Sequence, residues 1–163
     1  MATWSGIRKK LENDYLAECL RGRIQYFATT YRESHDRVGR ASILLDGKEI
    51  ISGGFYKKWS VADSFPKDDK YEKRMREEFA FIDDTALKLG VFDEWCFYRA
   101  FDEFDNQSIE ESLKSENLIV RIFAILDRRV GKRRLLAMKS KISEEPEVFQ
   151  RFYEIRSTAE GLT

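Results

Sequence analysis

The stretches Arg23-Ile24-Gln25-Tyr26-Phe27-Ala28-Thr29-Thr30-Tyr31, Gly39-Arg40-Ala41-Ser42-Ile43-Leu44-Leu45 and Lys48-Glu49-Ile50-Ile51-Ser52-Gly53-Gly54-Phe55-Tyr56 decide the fold of this chain. The first is rich in β-branched and aromatic residues. Ile24 and Tyr26 alternate with Gln25 and Phe27, the period of a strand with one buried face. Asp46-Gly47 separates the second stretch from the third, and such a pair closes a tight hairpin because both positions accept positive φ. A polar loop over 32–37 joins the first two. Three antiparallel strands are therefore predicted, and Gly53-Gly54 marks a bulge or a close approach of other backbone.

Helical periodicity lies on both sides of these strands. Upstream, Trp4, Ile7, Leu11 and Tyr15 recur at steps of three and four, with Leu16, Cys19 and Leu20 widening the stripe. One helix over 4–20 is predicted, stopped at Gly22. Downstream, Tyr71, Met75, Phe79, Ile82, Ala86 and Leu89 predict a long helix ended by Gly90. A third helix reads Asp93 to Asp105. Ser108-Ile109-Glu110-Glu111 is a capping-box pattern that starts another. Leu118 to Leu126 is strongly apolar and reads as a buried helix, with a strand as the alternative. Leu135 to Ile142 reads as a short helix, and Glu145-Pro146-Glu147 opens the last. The class is α+β: an N-terminal helix, a three-stranded antiparallel sheet, then several packed helices. A length of 163 residues suits one domain over 1–163, with a subdivision near Gly90 into an α-β-β-β-α part, 1–90, and a helical part, 91–163, as the alternative.

Composition narrows the function classes. Apolar residues at 42% are enough for a core that needs neither metal nor disulfide, so Cys19 and Cys96 read as reduced thiols. The 29 basic and 29 acidic residues cancel, so net charge supplies no general attraction to nucleic acid or membrane. No apolar run has the length of a membrane span, the N-terminus lacks a secretory signal's apolar middle, and the expected address is the cytoplasm. His35 is the sole histidine and sits in a polar turn, so neither a metal site nor a Cys–His nucleophile pair has support. Phosphate-binding glycine loops are absent, and with so many acids no two carboxylates stand out as an acid/base couple. The sequence thus assigns no catalytic residue, metal or cofactor and points away from an enzyme, with an enzyme of unrecognised site kept as an alternative.

One local feature stands above this background. From Arg128 to Lys141 seven cations occur in fourteen residues with no acid among them, beginning Arg128-Arg129-Val130-Gly131-Lys132-Arg133-Arg134. Read functionally, Arg128, Arg129, Lys132, Arg133 and Arg134 form a site for nucleic-acid phosphate or an acidic protein. Read structurally, they pair with acids of the 93–105 helix or of the 144–147 turn. The aromatic stretch Trp95–Phe104 has two readings as well, ordinary core or the interface of a regulatory, toxin-neutralising module.

Two resemblances add to this. The order helix, three strands, helix, with Asp46-Gly47-Lys48, then Gly53-Gly54 and Lys57-Lys58, resembles a double-stranded-RNA-binding domain. That resemblance implies His35 in a minor groove and Lys57 and Lys58 on phosphates. In that module the lysines open the last helix directly, whereas Trp59 to Lys70 intervene here. Trp4-Ser5-Gly6-Ile7-Arg8-Lys9-Lys10-Leu11-Glu12, Leu20-Arg21-Gly22-Arg23-Ile24-Gln25-Tyr26, Asp46-Gly47-Lys48-Glu49-Ile50 and Leu126-Asp127-Arg128-Arg129-Val130-Gly131-Lys132-Arg133-Arg134-Leu135 are similar to a family of small uncharacterised bacterial proteins. The family resemblance implies a bacterial cytosolic origin and brings no activity or ligand with it. The expectation is a binding protein that offers a basic surface to a polyanion such as RNA, or to an acidic partner.

Overall fold

In the computed structural model the described residues are 3–30, 39–54, 92 and 94–162. Helix α1 spans Trp4–Lys9, with the Thr3 hydroxyl accepting from the Gly6 N–H as its N-cap. A single π-helical turn, Lys10–Asp14, extends it. The helix predicted over 4–20 stops there. Residues 15–17 leave it and pair in antiparallel fashion with 126–128, the Ala17 N–H donating to the Leu126 carbonyl at 2.9 Å and the Arg128 N–H to the Tyr15 carbonyl at 2.7 Å. A short 3₁₀ turn, Glu18–Leu20, leads on to Gly22 at φ 77°.

The three strands are β1, Ile24–Thr30, β2, Gly39–Leu45, and β3, Lys48–Gly54, in the sheet order β1-β2-β3, antiparallel throughout. Asp46 at φ 53° and Gly47 at φ 82° close the β2–β3 hairpin as the dipeptide predicts. The irregularity expected from Gly53-Gly54 divides in two. The bulge lies at the other end of the pair, where Ile43 faces Ile51 but Leu44 faces Glu49. Gly53 is instead a point of close approach, since a Cβ there would lie 2.3 Å from the Phe92 carbonyl oxygen. Gly53→Ala must push that main chain away, and a loss of about 2 kcal/mol in unfolding free energy is expected by urea denaturation.

Five helices follow: α2, Glu94–Asp105; α3, Ile109–Leu113; α4, Leu118–Ile125; α5, Lys132–Met138, continued by a 3₁₀ stretch, Lys139–Glu144; and α6, Glu147–Ala159. The capping box forms in full, Glu111 N–H to the Ser108 hydroxyl at 3.1 Å and Ser108 N–H to the Glu111 carboxylate at 2.8 Å. The basic helix starts three residues earlier than the periodicity suggests. Leu135 is its sole fully buried residue, so periodicity could not mark the exposed first turn.

Helix α4 is the centre of the molecule: every residue but Arg121 is buried. It packs against α2, α3 and α6, and α2 lies on β1 and β2. Tyr26 of β1, Phe97 and Phe104 of α2, and Phe123 of α4 meet at 5.5–6.2 Å between ring centroids, mostly edge to face. The stretch Trp95–Phe104 is thus core at Phe97, Phe101 and Phe104, while Trp95 is 50% exposed. Neither Cys19 nor Cys96 is in a disulfide. One hydrophobic cluster joins Ile7, Ile24, Ile43, Phe97, Phe123 and Phe152, and so runs through the described parts on either side of 55–91. The helix predicted over 71–89 and the seam near Gly90 lie outside the described residues.

Candidate nucleic-acid interface

The basic run begins in a loop, 126–131, that the protein holds from three sides. Asp127 is buried, and its carboxylate turns back on the chain: Oδ1 accepts from the Arg129 N–H at 2.7 Å and Nε at 3.0 Å, Oδ2 from Nη2 at 2.8 Å. A short aspartate accepting from the main chain two residues on makes the turn, and the planar fork of the guanidinium completes it. The Arg129 guanidinium also lies over Tyr15 at 5.0 Å and Phe104 at 5.6 Å. The Tyr15 hydroxyl donates to Asp105, and burial with that bond pushes its pKa up to about 12.

Beneath the loop lies Arg156 of α6, 2% exposed. Its Nη1 donates to the Ile125 carbonyl at 2.9 Å and the Asp127 carbonyl at 2.7 Å, and its Nη2 to Val130 at 2.6 Å. Its Nε reaches Glu160 at 2.9 Å, where the Cys19 thiol also donates at 3.2 Å. Burial alone would raise the Glu160 carboxyl, but the bonds from Cys19 and Arg156 hold it below the ordinary glutamate value. Burial, then the bond to Glu160, raises Cys19, so this thiol is not activated. Tyr153 fixes the next element, its hydroxyl donating to the Leu135 carbonyl at 2.6 Å.

Along this loop runs an open groove of about 680 Å³, lined on one side by Ala17, Glu18 and Cys19 and on the other by 128–132, with Arg156 and Glu160 beside them. The fold sorts the five predicted cations. Arg129 belongs to the loop's own scaffold. Arg134 pairs with Glu110 at 2.9 Å and holds that carboxyl below its ordinary value. Internal pairing therefore occurs, but with Asp127 and Glu110 rather than with the acids of the 93–105 helix or the 144–147 turn. In those segments, Glu145 is taken by Arg121 and Asp105 by Lys10 and Tyr15.

Arg128, Lys132 and Arg133 remain exposed and form no ion pair among the described residues, although Lys132 lies near enough to Glu160 to help hold that carboxyl low. Lys132 and Arg133 occupy the first turn of α5, the positive end of the helix dipole, where cations weaken a helix rather than support it. His35, Lys57 and Lys58 lie outside the described residues. Sequence reasoning missed Arg156, Asp127 and Glu160. Arg156 sits in the amphipathic pattern of α6 like any surface arginine, and nothing local marks it as buried.

Among the described residues no group of three or more His, Cys, Asp and Glu side chains could hold a metal ion, and no helix is long and apolar enough to cross a membrane. No curated protein and no solved structure matches the chain. The SF0329 protein family does match, over residues 3–157, which includes all of the loop and every residue that lines the groove except Glu160, and the chain belongs to that family.

Proposed function

We propose that this chain is a binding protein that takes nucleic acid by its phosphates along the groove edge formed by Arg128 and Lys132, with Arg133 next to them in the first turn of α5. The observation that carries this reading is the division within the basic run. Arg129 and Arg134 are used up in ion pairs, while the other three stand in solvent and form no ion pair among the described residues. They stand on a loop pinned by Asp127, Arg156 and the strand pairing to 15–17, so little side-chain and loop ordering is left to oppose binding. Two of them stand at the start of α5, where their charges oppose the helix dipole. Glu18 is the exposed carboxylate on the opposite wall, and Glu160 is already neutralised by Arg156.

The test is binding of structured RNA, single-stranded RNA and duplex DNA across a salt series, repeated with Arg128→Glu, Lys132→Glu and Arg133→Glu combined. These three leave the Asp127 and Glu110 pairs intact, so the variant stays folded. Wild-type affinity should fall with salt, and the variant should lose at least about tenfold in affinity and about two to three units of the salt slope. Absence of binding at low salt removes the nucleic-acid reading and leaves an acidic protein as the ligand of these cations.

A further inference from the structure

We infer that the nucleic acid is single-stranded and that Trp4, Tyr98 and Trp95 stack its bases, a reading that rests on the phosphate-binding function proposed above. Trp4 of α1 lies flat on the core ring of Phe97, 6.3 Å between centroids with planes 18° apart. Tyr98 of α2 leans on Trp4 at 5.8 Å, and Trp95, one helical turn earlier, leans on Tyr98 at 6.0 Å. The three rings thus form a row with steps of about 6 Å that rests on the core and ends in a tryptophan half exposed to water. An exposed apolar side chain alone needs no explanation, but three contiguous aromatic rings with free surface are a stacking platform.

Cations accompany the row. A shallow hollow of about 350 Å³ runs from Trp4 past Ser5, Arg8 and Lys9 to Glu12 and Asn13. Of the carboxylates nearby, Glu12 is engaged by Arg8 at 2.6 Å and Asp105 by Lys10 at 3.2 Å, while Glu94 lies close enough to Tyr98 to add to the rise that burial causes in its pKa. Lys9 is exposed with no carboxylate partner among the described residues. The segment 4–19 borders both this hollow and the cationic groove, the first with Trp4 to Asn13 and the second with Ala17 to Cys19. A strand following that segment would meet bases' partners at one end and phosphates' partners at the other. Paired bases cannot use such a row, because in a duplex their faces are already covered by their neighbours.

The experiment compares Trp95→Ala, Trp95→Phe and the wild type against four probes: an oligo-uridine, an oligo-thymidine, a blunt RNA duplex of equal length, and inorganic polyphosphate, which has the charge but no bases. Thermal melts confirm folding, which the exposure of Trp95 favours. Trp95→Ala should weaken oligo-uridine binding about tenfold, leave polyphosphate binding unchanged, and be rescued by Trp95→Phe. Preference for either sugar upholds the stacking. RNA binding that Trp95→Ala does not alter, or a duplex held more tightly than the single strand, overturns the inference while the phosphate-binding reading stands. Self-association that Trp95→Ala abolishes without any effect on RNA makes the row a protein contact and also overturns it. Failure of every probe removes both readings together.

Discussion

Arg156→Met is expected to lower the unfolding free energy by about 4 kcal/mol, the largest effect foreseen for any single side chain in the loop and groove, read by urea denaturation or as a fall of roughly 10 °C in Tm. Methionine matches the length and volume of the arginine stem, so the loss isolates the guanidinium. Without it the carbonyls of Ile125, Asp127 and Val130 lose their common donor in a site from which water is excluded, and Glu160 keeps only the Cys19 thiol. Each buried acceptor left unmade costs on the order of 1–3 kcal/mol, and partial relaxation of the loop keeps the sum below full additivity. Arg156→Lys should recover less than half, because one ammonium cannot reproduce the fixed fork that spans three carbonyls. If Arg156→Met melts with the wild type, the loop is held by its neighbours instead and Arg156 is not its anchor. The groove then loses the rigidity that the binding proposal uses.

The second large effect separates two cations adjacent in sequence. Arg129→Ala should cost about 2–3 kcal/mol, whereas Arg128→Ala should stay within about 0.5 kcal/mol of the wild type. Arg129 is partly exposed, which places the figure below that of a fully buried pair, but its partner Asp127 is fully buried. Removing the arginine strands that carboxylate. Asp127→Asn is expected to cost only about 1 kcal/mol, because the amide still accepts from the Arg129 N–H and the guanidinium has solvent to turn to. The double variant Arg129→Ala/Asp127→Asn should therefore be more stable than Arg129→Ala alone. A double variant less stable than Arg129→Ala would mean that the pair matters through packing on Tyr15 and Phe104 rather than through the buried charge. Under the proposed function the order in nucleic-acid binding is expected to reverse, since Arg128 and not Arg129 is without an ion pair at the groove edge among the described residues.

This contrast shows how far a basic run can be interpreted without a fold. Arg128 and Arg129 are the same residue type at neighbouring positions, and no local rule tells which becomes scaffold. What tells them apart is Tyr15 and Phe104, which supply the surface over which Arg129 lies, and Asp127, which burial forces into a pair. A charge-reversal variant designed from the run alone would include Arg129 and Arg134 and would damage the loop it was meant to probe.

The sequence by itself determined the features that depend on a few adjacent residues. Asp46-Gly47 dictates a hairpin because its φ values suit that pair. Ser108 and Glu111 dictate a helix start because they satisfy each other's donors. The apolar run 118–125, broken only by Arg121, dictates a buried central element, and the structure makes it a helix. Only the tertiary structure decided where α1 ends, which cations are free, and that an arginine lies at the centre of the loop. Tyr15 to Ala17 keep helical periodicity yet leave the helix, since their backbone finds Leu126 to Arg128 across the chain. Arg156 reads as surface yet is buried because three carbonyls from a distant turn converge on it. The end of α1 and the burial of Arg156 are decided by partners more than twenty residues away, whose hydrogen bonds and buried area outweigh local preference.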